Sequence, residues 1–375
     1  MDGRDPIDQP CGADGAWSSG KGVALKRDPL VVIAGDFSNF STGRSLGDGL
    51  RALGWAVQEV ASAYAGGPFG FSGPGRVAGR LLARTVAENY RARIMRACTM
   101  LRPDVFITVK GVDVSADTLR QVRALGAKTV MFYPDVDFLH TGVDLDSFPL
   151  YDLFVSTKSF HADYIGELIG KERFALIPHG YVDGLHRPVF GEVSEADYRN
   201  SLLFCGSWSE YKQTWLNDLL GLDNGLDLTV VGSFWGRRSV GTPVASRPLP
   251  GEIPGIGYVE TIQRAKINIA IHHGPTRMGW QDLVSTRTFE LPACKGFMLH
   301  IDNDEIRSFF DVGTEIDVFG SPQELLDKAR FYLDRPDLRQ KMIEKAYNRC
   351  VPAYGYRQRA VQLNDLMSRT VLGTS

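Results

Sequence analysis

Apolar positions along this chain alternate between two patterns from residue 30 onward. "LVVIAGDF", residues 30–37, is a continuous, β-branched apolar run that ends in Gly and Asp. After it Leu46, Leu50 and Leu53 recur at helical spacing, Gly54 closes that helix, and "WAVQEV" begins a second strand. Strand, loop, helix, strand is the unit of a parallel sheet, because parallel neighbours need a crossover that a helix supplies. The unit recurs. A Gly/Pro loop over 65–75 leads to a long helical stretch, about 77–101, and then to the strand "DVFITVKG". "ADTLRQVRALG" reads as a helix closed by Gly126, "KTVMFYPD" and "YDLFVSTKS" as strands, "HADYIGELIG" as a helix and "FALIPHGY" as a further short strand.

The pattern then restarts. "SLLFCGS" and "LDLTVVGSF" predict strands flanking a helix from about Tyr211. "YVETIQRAK" predicts a short helix, "INIAIHH" a strand, "STRTFELPACKG" a helix closed by Gly296, and "FMLHID" another strand. "SPQELLDKARFYLDRPDLRQKMIEKAYNRC" is helical with a break at Pro336, and a last helix holds "YRQRAVQLNDLMSRTV". The two halves are alike in pattern and not in residues. The expected fold class is α/β: two doubly wound domains, 29–185 and 186–352, after a tail over 1–28 and before a C-terminal helix over 353–375 that returns to the first domain. Ligands of such sheets bind beyond the carboxyl ends of the strands, so strand-end residues carry the functional expectation.

Composition narrows the class. The 375 residues are 43% hydrophobic and 23% charged, enough for a large core, and no apolar stretch approaches the length of a membrane span. A net charge of −2 argues against a surface built for nucleic acid. The five cysteines, at 11, 98, 205, 294 and 350, lack zinc spacing and read as free thiols of a reducing compartment. Residues 1–28 hold no signal-peptide core, so a mobile tail and a cytoplasmic location are expected.

Chemistry concentrates in "DLVSTRTFE". Asp282 and Glu290 are eight apart, and a loop that folds back would aim both carboxylates at one polyol, whose vicinal hydroxyls donate to them. Between them lie Ser285, Thr286, Arg287 and Thr288. Free N–H groups at a helix start favour phosphate, and Arg287 adds charge. The structural alternative is an ordinary N-cap by Ser285 or Thr288. Pro292 would break a helix interior, so the helix is expected to begin near Phe289 or to bend there, with Glu290 in its first turn. His272 ends a strand and could touch phosphate or sugar; a buried, satisfied histidine is the favoured alternative. "YPDVDFLH" offers Asp135, Asp137 or His140 as a base for an acceptor hydroxyl, with a divalent-metal pair Asp135-x-Asp137 and solvated turn acids as the alternatives. Arg80, Arg84 and Arg91 share a face of the long helix, a solvated stripe or a contact for an anionic acceptor or membrane surface. "GDFSNFSTGRS" is not GxGxxG, and no acidic residue ends the second strand as a dinucleotide's ribose reader should.

The run "INIAIHH…STRTFELPACKGFMLHIDNDEIRSFFDVGTEIDVFGSPQELLDKARFYLDRPDLRQKM", with its closing "YGYRQRA", resembles the C-terminal half of GT-B glycosyltransferases, most of all the CgeB-like, group 1 branch. "LIPHGYVDGLHRP" is similar to that family's interdomain segment, and the likeness extends over about 100–360. The resemblance implies a GT-B fold and sugar transfer from a nucleotide-sugar donor to a hydroxyl acceptor, with no metal or other cofactor. By position it implies that Glu290 binds the ribose hydroxyls. Asp282 would face the donor sugar, with a shorter reach than the family's Glu. Gly206 and Ser207 would lie under the diphosphate, neutralised by Lys212 or Arg287. Two other readings stay open, a nucleotide-sugar epimerase on the same double fold and a non-catalytic nucleotide- or sugar-binding module. Neither nucleic acid nor a membrane span is expected, though a peripheral membrane contact is compatible with the arginine face.

Overall fold

The computed structural model describes residues 28–62, 75–138 and 143–373, and of residues 75–82 the backbone alone. The tail over 1–27, the Gly/Pro loop over 65–74, the Arg80 side chain and His140 lie outside the described residues.

The first sheet is built from β1 (Leu30–Gly35), β2 (Ala56–Ala61), β3 (Val105–Val109), β4 (Lys128–Tyr133), β5 (Leu153–Ser156) and β6 (Phe174–Leu176). Its crossovers carry α1 (Thr42–Ala52), α2 (Gly75–Leu101), α3 (Ala116–Ala124) and α4 (His161–Ile169). The strand order is β2-β1-β3-β4-β5-β6, all parallel, with Val31 opposite both Val57 and Val105. The second sheet holds β7 (Asn200–Cys205), β8 (Leu228–Val231), β9 (Ala265–Ala270), β10 (Met298–Ile301) and β11 (Asp317–Phe319) in the order β11-β10-β9-β7-β8, again all parallel. With it run α5 (Glu210–Leu222), α6 (Trp235–Arg238), α7 (Ile256–Gln263), α8 (Thr286–Ala293), α9 (Asp304–Phe309), α10 (Pro322–Leu333), α11 (Pro336–Cys350) and α12 (Tyr356–Leu366). The order of each sheet reverses once, between β1 and β3 and between β7 and β9, and such switch points open a crevice at the carboxyl edge.

The sequence explains these elements locally. Val31, Val32, Ile33, Val105, Phe106 and Ile107 have no exposed surface, which fits strands covered by helices on both faces. Serines start several helices by accepting an orphan amide: Ser41 from Arg44, Ser115 from Thr118, Ser209 from Lys212 and Ser321 from Glu324. Pro336 opens α11 at its first position, where a missing N–H costs nothing. The strand expected over "FALIPHGY" shrinks to Phe174–Leu176. Three elements outside the expected set, α6, α9 and β11, are 4, 6 and 3 residues long. The expected start of α8 near Phe289 is displaced to Thr286. Ser285 and Thr288 form a capping box there, and Pro292 is absorbed in the last turn of a helix that ends one residue later.

The chain returns to the first sheet at its end. Tyr356 N–H donates to the Tyr181 carbonyl (3.0 Å), and Tyr181 N–H to that of Tyr354 (3.2 Å). From there α12 lies along α1: Trp55 Nε1 donates to Asn364 Oδ1 (2.8 Å), Tyr356 and Thr42 share a hydroxyl contact (3.2 Å), and Leu363, Met367 and Val371 join Leu46 and Leu50 in one core. Among the described residues no helix is long and apolar enough to cross a membrane.

The crossing of α1 and α12 depends on Gly49, where an added Cβ would overlap the Ala360 methyl. Gly49→Ala is expected to lose about 1–3 kcal/mol by overpacking. Urea unfolding checks this; a stability equal to the parent's would refute the close approach.

Candidate functional site

The carboxyl edges of the two sheets meet. Lys158, two residues beyond β5, and Ser159 touch Asp282 and Glu305 of the second half. The site lies along this junction, and its best-defined part is the switch point between β7 and β9.

Gly206 leaves β7 and Gly232 leaves β8, and the two loops touch. A Cβ on Gly232 (φ +145°) would overlap the Gly206 carbonyl, so only glycine allows the approach. Trp235 Nε1 holds that carbonyl at 2.7 Å. Over this floor sit two cations. Arg287 Nε lies 3.4 Å from where a Gly206 Cβ would be and is buried without a hydrogen-bond partner. Lys212, buried in the first turn of α5, donates to the Ser207 carbonyl at 3.1 Å. Burial, aided by the Arg287 charge, pulls the Lys212 ammonium down to about 8. Ser207 is exposed beside it, and Thr286, partly exposed, opens α8.

Glu290 stands one turn into α8, later than expected, with its side chain 14% exposed. Tyr258 O–H, on α7, donates to Oε2 at 2.9 Å, and His186 Nε2 lies 3.9 Å from Oε1. His186 Nδ1 accepts from Val182 N–H (2.9 Å), and burial lowers its pKa, so the ring is neutral with its Nε2–H toward Glu290. These donors orient the carboxylate and leave acceptor positions for two hydroxyls.

His272 does not face the cleft. It is 3% exposed and belongs to a buried chain under α8: Ser285 Oγ to Nδ1 (2.9 Å), Nε2 to His300 Nε2 (2.7 Å), and His300 Nδ1 to the Ile301 carbonyl (2.6 Å). The carbonyl needs a donor, so His300 carries its proton on Nδ1, His272 on Nε2, and Ser285 donates. Burial lowers both histidines, His300 to about 4, which keeps the chain uncharged. Thr288 Oγ1 adds a bond to His300 at 3.0 Å. Ser285 and Thr288 are thus occupied by capping and by this chain, the structural alternative raised above, and Ser285 is not free for phosphate.

Asp282 is likewise engaged. Its side chain is 8% exposed and pairs with Lys158, which is 3% exposed and donates also to the Val284 carbonyl at 2.8 Å. A carboxylate expected to face a sugar is therefore neutralised by a cation from the other sheet.

At the facing edge Asp135 follows β4 and pairs with Lys110 Nζ (3.0 Å). Lys110 (φ +68°), Gly111 (φ +69°) and Asp113 (φ +61°) all sit in left-handed backbone just after β3, strain of the kind that gathers at functional loops. The Asp137 carbonyl accepts from the Tyr133 hydroxyl (2.5 Å). Among the described residues no three metal-ligating side chains cluster. The structure thus gathers Gly206, Ser207, Lys212, Thr286, Arg287 and Glu290 at one switch point and Asp135 and Asp137 on the opposite edge, while His272, Asp282 and Ser285 turn inward. Sequence reasoning missed Lys158, Tyr258 and His186. For Lys158 a signal existed: a lysine straight after a fully buried strand, in "FVSTKS".

Two parallel doubly wound sheets meeting at their carboxyl edges, closed by a returning helix, are the GT-B fold. Residues 212–365 match a family model described as glycosyl transferase-like. The fold is shared with the sucrose-phosphate synthase of Thermosynechococcus elongatus (TM-score 0.64, 13% identity, 93% of this chain and 100% of that one). It is shared also with a glycosyltransferase from Rickettsia africae (0.64, 11% identity, 92% and 99%). Anabaena HepE in complex with UDP-glucose has it too (0.61, 12% identity, 90% and 99%). A search of curated protein sequences finds no match.

The Lys212 charge sets a pH dependence. In the free protein it is an ammonium below about 8 and an amine above. Affinity for an anionic ligand at this edge, with uridine diphosphate as the probe, is therefore expected to hold at neutral pH and to fall above that value, approaching about tenfold per pH unit. Lys212→Met should bind weakly with a flat profile. Calorimetry across pH 6.5 to 9.5 (roughly the window that one lysine titration needs) checks both.

Proposed function

We propose that the protein transfers a sugar from a nucleotide-sugar to a hydroxyl acceptor, with the donor in the second domain and the acceptor in the first. The observation that carries this reading is the cation pair over Gly206. Lys212 and Arg287 repel each other, Asp282 is already neutralised by Lys158, and Arg287 Nε lacks a partner. That edge holds surplus positive charge and an unsatisfied donor, which a diphosphate would balance. Glu290, one helical turn away, is oriented for a ribose diol. The glycosyl transferase-like match over 212–365 and the UDP-glucose named with the Anabaena neighbour support the same assignment.

In the proposed reaction the acceptor hydroxyl attacks the anomeric carbon as the bond to the diphosphate breaks. The electron pair leaves on the diphosphate, where Lys212 and Arg287 stabilise it. The hydroxyl proton passes to Asp135 or Asp137 at the facing edge, or to His140, which lies outside the described residues. The reading includes the CgeB-like branch, a cytoplasmic location, and chemistry without a metal. Catalysis then rests on positioning and on charge stabilisation of the leaving group.

Calorimetry with uridine, guanosine and thymidine diphosphates tests the assignment; a protein that binds none of them is not a transferase of this kind. Glu290→Ala should weaken the bound nucleotide by about 1.5–3 kcal/mol, roughly tenfold to a hundredfold, with the fold retained. Unchanged affinity would remove Glu290 from the ribose. Transfer activity is expected to survive excess EDTA; activity lost to EDTA and restored by Mn²⁺ would assign a metal to the site.

A further inference from the structure

The loop between β9 and α8 reaches out of its own domain. Its base is tied at home: Asp282 N–H donates to the His273 carbonyl (3.1 Å), Gln281 Nε2 to the Tyr211 hydroxyl (3.2 Å), and Asn303 Nδ2 to the Leu283 carbonyl (2.9 Å). Its tip is folded on itself, with Trp280 and Gly279 each bonded to Thr276 (2.7 and 3.0 Å). The tip side chain, Trp280, is partly buried and packs against the first domain's aromatic core. It stacks on Phe160 (5.8 Å between centroids, 30°) and meets His161, Tyr164 and Phe138 edge-on at 4.9, 5.4 and 5.5 Å. Just behind the tip, Asp282 is buried against Lys158 of the first domain.

We infer that residues 274–284 form a strap that holds the two domains closed, and that Lys158 is a positioning residue for transfer: by pairing with Asp282 it seats the strap and so sets α8, with Arg287 and Glu290, against the acceptor edge. The kinetic part rests on the glycosyl-transfer reading; the closure part stands without it. The physical case has two components. Trp280 removes a large apolar surface from water only when the domains meet. The Lys158–Asp282 pair is buried only in the same state, and removal of either partner strands the other charge without compensation. Both contacts cross the domain boundary, so they form and break with closure. The strap leads into Ser285, the N-cap of α8, so a docked strap fixes the start of the helix that carries the site. The inference also gives Asp282 a role that its burial permits, which direct contact with a sugar is not.

Small-angle scattering of the ligand-free chain, with transfer kinetics, tests this on four proteins: the parent, Trp280→Ala, Lys158→Met, and Lys158→Met combined with Asp282→Leu. Trp280→Ala and Lys158→Met should each enlarge the radius of gyration. The double variant should return toward the parent, because no orphan charge remains. kcat should fall about tenfold or more in the two single variants, with the nucleoside diphosphate dissociation constant within about threefold of the parent's, since the diphosphate site lies in one domain. Unchanged scattering in both single variants overturns the strap. Loss of diphosphate affinity in step with kcat overturns the positioning role, for then Lys158 or Trp280 supports the donor pocket itself. A parent that binds no nucleoside diphosphate removes the transferase reading and leaves scattering to decide on closure. Should Lys158→Met fail to fold by circular dichroism, Trp280→Ala, a loop side chain, decides both parts.

Discussion

Charge has to be balanced where the two sheets meet, and that constraint organises the junction. Lys158, Lys212 and Arg287 all lie at or near buried positions on the carboxyl edges, with Asp282 and Glu290 among them. An isolated ion in such surroundings would be neutralised or displaced, so each must find a partner or await one. Lys158 takes Asp282. Glu290 takes the hydroxyl of Tyr258 and faces a neutral histidine. Lys212 and Arg287 are left beside each other, and burial first, with the Arg287 charge second, depresses the Lys212 pKa. The inward turn of Asp282 is thus the same fact as the surplus of positive charge over Gly206: had Asp282 reached toward the phosphate edge, that edge would be closer to neutral.

The polar chain beneath α8 serves the same end by staying uncharged. Two histidines 2.7 Å apart could not both be protonated in a dry interior, and fixed tautomers let Ser285, His272 and His300 bond in one direction to the Ile301 carbonyl. This gives α8 a rigid, neutral footing. The positive potential at the switch point then comes from the cationic side chains and helix N-termini above it, with none from the histidines.

The fold was largely legible in the sequence because its signals are local. Buried parallel strands read as continuous apolar runs, "LVVIAG" and "VFITV" among them, and Gly54, Gly126 and Pro336 punctuate the helices between. β11 escaped because three residues hold no period, and α9 because a helix of six shows less than two turns. Pro292 favours a start of α8 near Phe289, but the Ser285-x-x-Thr288 capping box nucleates the turn three residues earlier. The site was legible only in part. Residue type and position at a helix start singled out Arg287 and Glu290, and the family resemblance added Lys212. What Asp282 does depends on Lys158, 124 residues away, and no local pattern carries a pairing of that separation. His272 turned inward for a similar reason: its partner His300 lies on the next strand of the sheet, 28 residues on.

The self-capping of the helices at the switch point decides how an anion can be recognised there. A helix N-terminus attracts phosphate through its free first-turn amides. In α8 the Arg287 amide is already bonded to Ser285 Oγ, and in α5 the Lys212 amide is bonded to Ser209 Oγ. These two amides are spent on caps and cannot also cradle an anion, which leaves more of any direct contact to side chains. The side-chain donors at this edge are Arg287, a planar guanidinium whose Nε has no partner, and Lys212, a point charge that donates to the Ser207 carbonyl. A site built this way gains its affinity from charges that mutually repel when it is empty. On the proposed reading a diphosphate would relieve that repulsion on binding, so the repulsion adds to its affinity and opposes its release.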